Sequence, residues 1–356
     1  MCNNAAVHRT RATAQRGMSI IELMVGMVVA LLVALAATNS AISFTASQRQ
    51  GLGAGGVAVN SATVLAAIKD DVGVSGLGFF GDQQFLCHAL NLSQGAATTF
   101  DGTAFSPLQV TRTADSDTID MFYASRVESG ANILLNSLVG NVATLNSYLP
   151  VAVNDAVLLA PKNPAVTSPC VIRTVTNTVP PTATTPQTLT FASSGKHNGA
   201  AFTVNTAFDE TSRVMPIGML RWSRYRVVAG NLVLERPLDG TSAILARNVI
   251  AFRVQFGAAG AGAGTTAIET WEHPTGTFAS IGAANLPRVR ALRIGLIVRS
   301  PQVERRDSSG NCNATEVQPT LFGLPPEHLT NADWGCWRYR TSTVLVPLRN
   351  IVMGLL

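Results

Sequence analysis

The sequence predicts an α+β fold: one long N-terminal helix leading into a body of mostly antiparallel β-strands. Three observations carry that prediction. The run from Met18 to about Thr38 is apolar except for Ser19 and Glu22. Beyond Gly81 the chain reads as short segments of β-branched and aromatic residues, punctuated by Gly, Pro, Asn and Thr. Charged residues make up only 13% of the 356 residues and aromatics 6%, a balance that suits a turn-rich β protein with a substantial core.

As a helix, the N-terminal run of roughly 21 residues extends about 30 Å, enough to span a bilayer. His8, Arg9, Arg11 and Arg16 precede it, with no acidic residue before Gly17. Such a basic flank keeps the N-terminus cytoplasmic and exports the chain beyond the helix. A plain anchor fits this length, and so does a cleavable signal peptide, since "ALAAT" (Ala34–Thr38) offers an A-x-A site after Ala36. Neither accounts for Glu22. A carboxylate in such a segment costs on the order of 2–3 kcal/mol on insertion scales unless a partner offsets it. Gly26, Ala30, Ala34 and Thr38 recur every four residues, a row of small side chains that lets a second helix approach.

The helical pattern extends past Thr38, with Ile42, Phe44, Val64, Leu65 and Ile68 expected on a buried face. Gly51, Gly53, Gly55 and Gly56 each disfavour helix by about 1 kcal/mol relative to Ala. A break is therefore expected there, with helix resuming near Asn60 and ending by Gly73. The same glycines match G-x-G-x-x-G, with Asp70 and Asp71 downstream. They follow a membrane-type helix and not a strand, so the match is read as accidental.

Candidate strands lie at Thr118–Ser125, Asp155–Ala160, Cys170–Thr176 and Thr188–Ala192. "RYRVVAGNLVLERPLDG" reads as a hairpin turning at Gly230-Asn231. "NVIAFRVQFGA", "RVRALRIGLIVRS" and "RTSTVLVPLRN" supply three more strands. "NTVPPTATTPQ" and "GAAGAGAGTT" are loops, the second expected to be mobile.

The formal charge is +5, but three of the 26 basic residues lie before Gly17, and the remaining 23 face 21 acidic ones. Charge therefore gives nucleic-acid binding no support. Beyond Cys2, the cysteines Cys87, Cys170, Cys312 and Cys336 form an even set without C-x-x-C or zinc-ligand spacing, as expected of two disulfides in an oxidising compartment. Of the possible pairings, Cys87–Cys170 and Cys312–Cys336 are preferred, because neighbours in sequence more often share a subdomain.

Motifs for catalysis or cation binding are missing: no H-E-x-x-H, G-x-S-x-G, Walker A or EF-hand loop occurs. His88, His197, His273 and His328 lack carboxylates at ligand spacing and are expected at the surface. The acids of "DETSR" and "ADSDTID" lack a glycine-turn loop. No catalytic residue, metal or cofactor is expected. Arg288 and Arg290 fall on one strand face and Arg293 and Arg299 on the other, which splits any basic stripe; solvated edge positions are the expectation. In "WGCWRY" (Trp334–Tyr339) the two Trp are expected to pack against a disulfide at Cys336.

"RGMSIIELM" resembles the processing site of type IV prepilins, in which a short basic leader ends in Gly and Glu is the fifth residue of the adjoining apolar stretch. The resemblance implies cleavage between Gly17 and Met18 by a prepilin peptidase, then N-methylation of Met18 and retention of the helix. It also implies that Glu22 meets the N-terminal amine of a neighbouring subunit, which favours one axial register. Met18 departs from the usual first residue, Phe. "VLAAIKDDVGVSGLGFFG" (Val64–Gly81), "RVRALRIGLIVRS" and "YRTSTVLVPLRN", with its Arg349-Asn350 dipeptide, are similar to stretches of PilW-type minor pilins; residues 82–210 are unmatched.

The implied architecture is type IV pilin-like: leader 1–17, a transmembrane and filament-core helix 18–39, a continuation 40–80 with its glycine break, and a periplasmic β-rich body 81–356. Two subdomains, about 81–210 and 211–356, are an alternative for the body. The implied role is that of a minor pilin in a tip complex that primes pilus assembly for twitching, adhesion or DNA uptake. Implied partners are other minor pilins, the major pilin, the prepilin peptidase and methyltransferase, the inner-membrane assembly platform and a tip adhesin. The implied location is the inner membrane before assembly and the pilus after it. A J-type pseudopilin of type II secretion is the nearest alternative, and a membrane-anchored exported binding protein a more distant one.

Overall fold

Helix begins where the apolar run does. The computed structural model describes residues 19–81, 83–113, 116–125, 133–260, 267–282, 284–304, 306–307, 309–326, 329 and 332–353, with the side chains of 42–43 and 45–60 outside the description. Helix α1 spans Ile20–Gly73. Each residue from Ser19 to Ala41 is exposed, and Ile20–Ala41 is long and apolar enough to cross a membrane. The backbone stays helical through Gly51–Gly56, where the glycines predict a break. Glycine weakens a helix without removing a backbone donor, and no proline occurs between Ile20 and Gly73. The chain divides at Gly55-Gly56 into two compact units. Phe44 is 63% exposed rather than buried, and the Ile42 side chain lies outside the described residues.

In the second unit the last turns of α1 bury Val64, Leu65, Ile68 and Val72, while Lys69 and Asp70 stay exposed. That spacing gives one apolar face. The hydroxyl of buried Tyr225 donates to Asp71 Oδ2 at 2.7 Å. After Gly73 the chain turns through Gly76 and Gly78, with φ of +80° and +87°, a region open to glycine. A Cβ on Gly76 would also lie 2.8 Å from the Phe80 ring. The turn delivers Phe79 to the core, its ring centroid 5.2 Å from that of Phe105. From the far end of the chain, Asn350 in the short helix α2 (Arg349–Met353) donates to the carbonyls of Gly73 and Ser75 at 3.4 and 3.5 Å. It satisfies acceptors that a helix end leaves open.

The strands form three main sheets. A nine-stranded sheet runs in the order 177–179, 188–190, 142–145, 133–139, 213–218, 156–160, 170–174, 89–94 and 97–104. Its pairings are antiparallel except that of Cys170–Thr174 with Ala89–Gln94. A five-stranded antiparallel sheet orders 241–246, 231–236, 220–228, 117–124 and 108–112, and a four-stranded one 270–272, 249–258, 289–299 and 339–347. The alternative of two subdomains meeting near residue 210 does not match this distribution. Arg213–Gly218 lies inside the nine-stranded sheet, and Leu108–Arg112 and Asp117–Ala124 lie in the five-stranded one. The hairpin turns at Ala229-Gly230, one residue earlier than predicted, with Val228 opposite Asn231. Both central residues have positive φ, 48° and 72°, as the tight turn that matches strand twist requires.

A buried ion pair joins the last two sheets. Arg253 Nη1 lies 3.2 Å from Asp117 Oδ1, with side chains 2% and 0% exposed. Asp117 Oδ2 accepts the Val254 N–H at 2.7 Å, and the Thr113 carbonyl accepts from the same guanidinium at 2.9 Å. Burial pushes the Asp117 carboxyl up from its usual range, against the pull of these donors. Removing one partner of such a pair leaves a buried charge without compensation. Asp117→Ala is expected to destabilise the detergent-solubilised full chain by about 3–5 kcal/mol in urea unfolding. The Asp117→Leu/Arg253→Met double variant should recover most of that; a double variant as unstable as the single would refute the account.

Candidate functional site

The N-terminal segment holds the residues that the sequence singles out for processing and assembly. Gly17 and Met18 lie outside the described residues. Glu22 is exposed in the first turn of α1, where the helix dipole favours a negative charge. Gly26, Ala30, Ala34 and Thr38 are all exposed. Nothing lies within 4 Å of where a Gly26 Cβ would stand. The Thr38 hydroxyl donates to the Ala34 carbonyl at 2.7 Å, which satisfies it inside the helix and keeps the segment compatible with lipid. The G-x-G-x-x-G glycines are helical, so they do not form the strand–turn–helix of a dinucleotide site.

The structure pairs Cys87 with Cys170 and Cys312 with Cys336, at Cα separations of 5.5 and 4.6 Å. The first bond flanks the one parallel pairing described in the nine-stranded sheet, where Cys170 stands opposite Leu90. Parallel strands lack a hairpin to hold them in register, and this bond supplies a covalent clamp. The second closes a loop whose Gly335 carbonyl accepts the N–H groups of Ala314 and Thr315. Trp334 packs with Leu321, Leu329 and Ile297, and Trp337 lies beneath Arg299. The tryptophans therefore cover the sheet and an arginine. Cys87 and Cys170 are fully buried, whereas Cys312 is half-buried. Dithiothreitol with alkylation should label Cys312 and Cys336 first, and Cys87 and Cys170 only once urea unfolds the body. Labelling in the reverse order would overturn this assignment of accessibility.

Aromatic rings hold most of the arginine series. Arg293 lies between Trp271 and Phe322, its Cζ 4.9 and 4.6 Å from their centroids, and it donates to Gln255 Oε1. Arg288 stacks on Phe278 at 5.5 Å and Arg299 on Trp337 at 4.0 Å. Arg290 donates to the Pro287 carbonyl. Solvated edge positions were the expectation; aromatic stacking holds three of the four instead, because a guanidinium face is weakly hydrated. Glycine makes room for this cover. A Cβ on Gly295 would stand 2.6 Å from Leu321 Cδ1, and one on Gly257 3.0 Å from the Trp271 ring.

The histidines and acids likewise serve the fold. His197 is 3% exposed, contrary to its expected surface position. Its Nδ1 lies 2.6 Å from the Ser93 carbonyl, and its backbone N–H donates to Thr174 Oγ1 at 3.1 Å. His328 lies outside the described residues. Asp209 accepts from Thr211 and Ser212 within its own turn. No group of His, Cys, Asp and Glu with metal-ligand geometry occurs among the described residues. Burial lowers the pKa of His88, His197 and His273 from 6.5. A histidine depressed in the fold protonates first in the unfolded chain, so stability is level above 6.5 and falls as pH drops below it. Thermal unfolding of the full chain should show that fall between pH 6.5 and 5, and His197→Gln should reduce its slope. A midpoint that rises over this window would contradict the sign.

Residues 205–350 match the family model of the type IV pilus-assembly protein W, PilW. Both C-terminal strand motifs and the capping dipeptide Arg349-Asn350 fall within the match. No curated protein matches the chain significantly. Among solved structures, a type IV-like pilin from Thermus thermophilus aligns with 83% of this chain and 96% of its own, at 10% identity and a TM-score of 0.35.

Proposed function

We propose that this protein, with its PilW match over residues 205–350, is a minor pilin of a bacterial type IV pilus. One conjunction carries the reading: an exposed apolar helix with Glu22 in its first turn precedes a β-rich body that contains the PilW match. On this reading a peptidase cleaves between Gly17 and Met18 on the cytoplasmic face, and Met18 is then N-methylated. The helix holds the subunit in the inner membrane until assembly and then enters the filament core. There Glu22 meets the amine of a neighbouring subunit. Displacement by one helical turn would leave that carboxylate unpaired in an apolar setting, so the pair favours one axial register.

The β-rich body faces the periplasm before assembly. It contacts other minor pilins in a tip complex that primes polymerisation of the major pilin. The reading gives it no catalytic role, cofactor or metal. Mass spectrometry of the mature N-terminus, in cells with and without the prepilin peptidase, tests it directly. A methylated Met18 that depends on the peptidase is expected. A chain starting at Ala37, or an uncleaved Met1, would overturn the reading. Glu22→Leu should remain membrane-inserted yet disappear from sheared filaments. Pilus genes, rather than those of a secretion system, are expected beside the gene.

A further inference from the structure

A cavity of about 590 Å³ opens where the hairpin turn of the five-stranded sheet meets the ends of two strands of the four-stranded sheet. Its polar lining comes from Thr113, Ser116, Asn231, Asn248 and Arg299. No acidic residue lines it among the described residues.

Several arginines of the body donate to carbonyl or amide oxygens, as Arg173, Arg288 and Arg293 do. Arg221, Arg224, Arg226, Arg253, Arg306 and Arg338 each meet a carboxylate. The Arg299 Nε is buried without a hydrogen-bond partner. Trp337 occupies one face of its guanidinium, which fixes the plane and leaves the Nη donors for another group. A planar fork of donors matches a carboxylate or phosphate. The remaining lining suits a larger molecule than a bare anion. Hydroxyls and amides both donate and accept, as sugar hydroxyls require, and Val227, Val249 and Ile250 add an apolar wall. Pockets of about 300–1,000 Å³ are those that enclose small organic ligands.

We infer that this cavity binds an anionic saccharide, with Arg299 receiving its carboxylate or phosphate and Asn231 and Asn248 its hydroxyls. The site lies apart from the N-terminal assembly segment and does not depend on the pilus reading.

The test tracks the arginine Nε–H resonances of the ¹⁵N-labelled full chain in detergent, with the Arg299 signal assigned through Arg299→Lys. The probes are glucuronate, glucose 1-phosphate, glucose, and sodium chloride at matched ionic strength. A saturable shift of the Arg299 signal with glucuronate or glucose 1-phosphate is expected, without a saturable shift from glucose. Response to glucuronate alone assigns the carboxylate, and response to glucose 1-phosphate alone the phosphate. Trp337→Leu, which frees the guanidinium plane, should weaken the binding about tenfold. The inference falls if neither charged sugar gives a saturable shift, if sodium chloride reproduces it, or if glucose saturates equally well. The titrations use the unaltered protein, and Arg299→Gln supplies the assignment if Arg299→Lys fails to fold.

Discussion

The body is organised around the C-terminal end of α1. Burial of Val64, Leu65, Ile68 and Val72 places a helix among sheets, and three distant segments converge to fix where it stops. Tyr225 reaches Asp71 from the five-stranded sheet. Gly76 N–H donates to the Phe122 carbonyl at 2.8 Å, so the turn after the helix joins a strand. Asn350 caps the helix end from the last residues described. A helix end exposes carbonyls that must find donors, and here they draw the end of the chain back to its beginning. The same contacts locate the entry of Phe79, which joins the aromatic cluster of Phe105, Phe122, Phe100 and Trp222.

Elements with strong local signals were legible in the sequence. The apolar run, the strands Thr118–Ser125 and Asp155–Ala160 and the three C-terminal strands have hydrophobic patterns that burial then uses. Cysteine parity and proximity likewise anticipated both disulfides. Other features depended on tertiary context. Glycine at 51–56 lowers helix propensity, yet propensity is a weak prior against a helix that continues on both sides. Of the middle region, Ala97–Ala104 is an edge strand whose residues are mostly exposed or half-buried, so it lacks the apolar alternation that marks a strand from sequence. His197 looked like a surface residue because its partners, Ser93 and Thr174, are remote in sequence.

The arginines show why charges alone underdetermine a surface. Residue parity placed Arg293 and Arg299 on one face, which spoke against a single basic stripe, but it did not reveal their aromatic neighbours. Phe322 reaches Arg293 from a turn in which its own φ is +54°, with Gly323 next at +79°. Trp271 comes from another strand. Gly257 and Gly295 leave the sheet flat enough for those rings, and nothing in a linear pattern distinguishes such a glycine from a turn residue.

Two acidic residues show opposite ways of placing a carboxylate in an apolar setting. Asp117 is enclosed by the body, and Arg253 and the Val254 N–H reach it within the same fold. Its charge is resolved intramolecularly, and it can serve as a fixed joint between sheets. Glu22 lies in a helix whose neighbouring side chains through Ala41 are exposed, and it has no ion-pair partner among the described residues. In water such a carboxylate needs none. In lipid it carries a penalty of a few kcal/mol, and the helix around it is apolar enough to cross a membrane. In the proposed filament the offsetting group would be a cationic amine from a neighbouring subunit, and one axial register would bring the two together. The two carboxylates would then differ in where their partner lies, one within the fold and the other across an assembly contact.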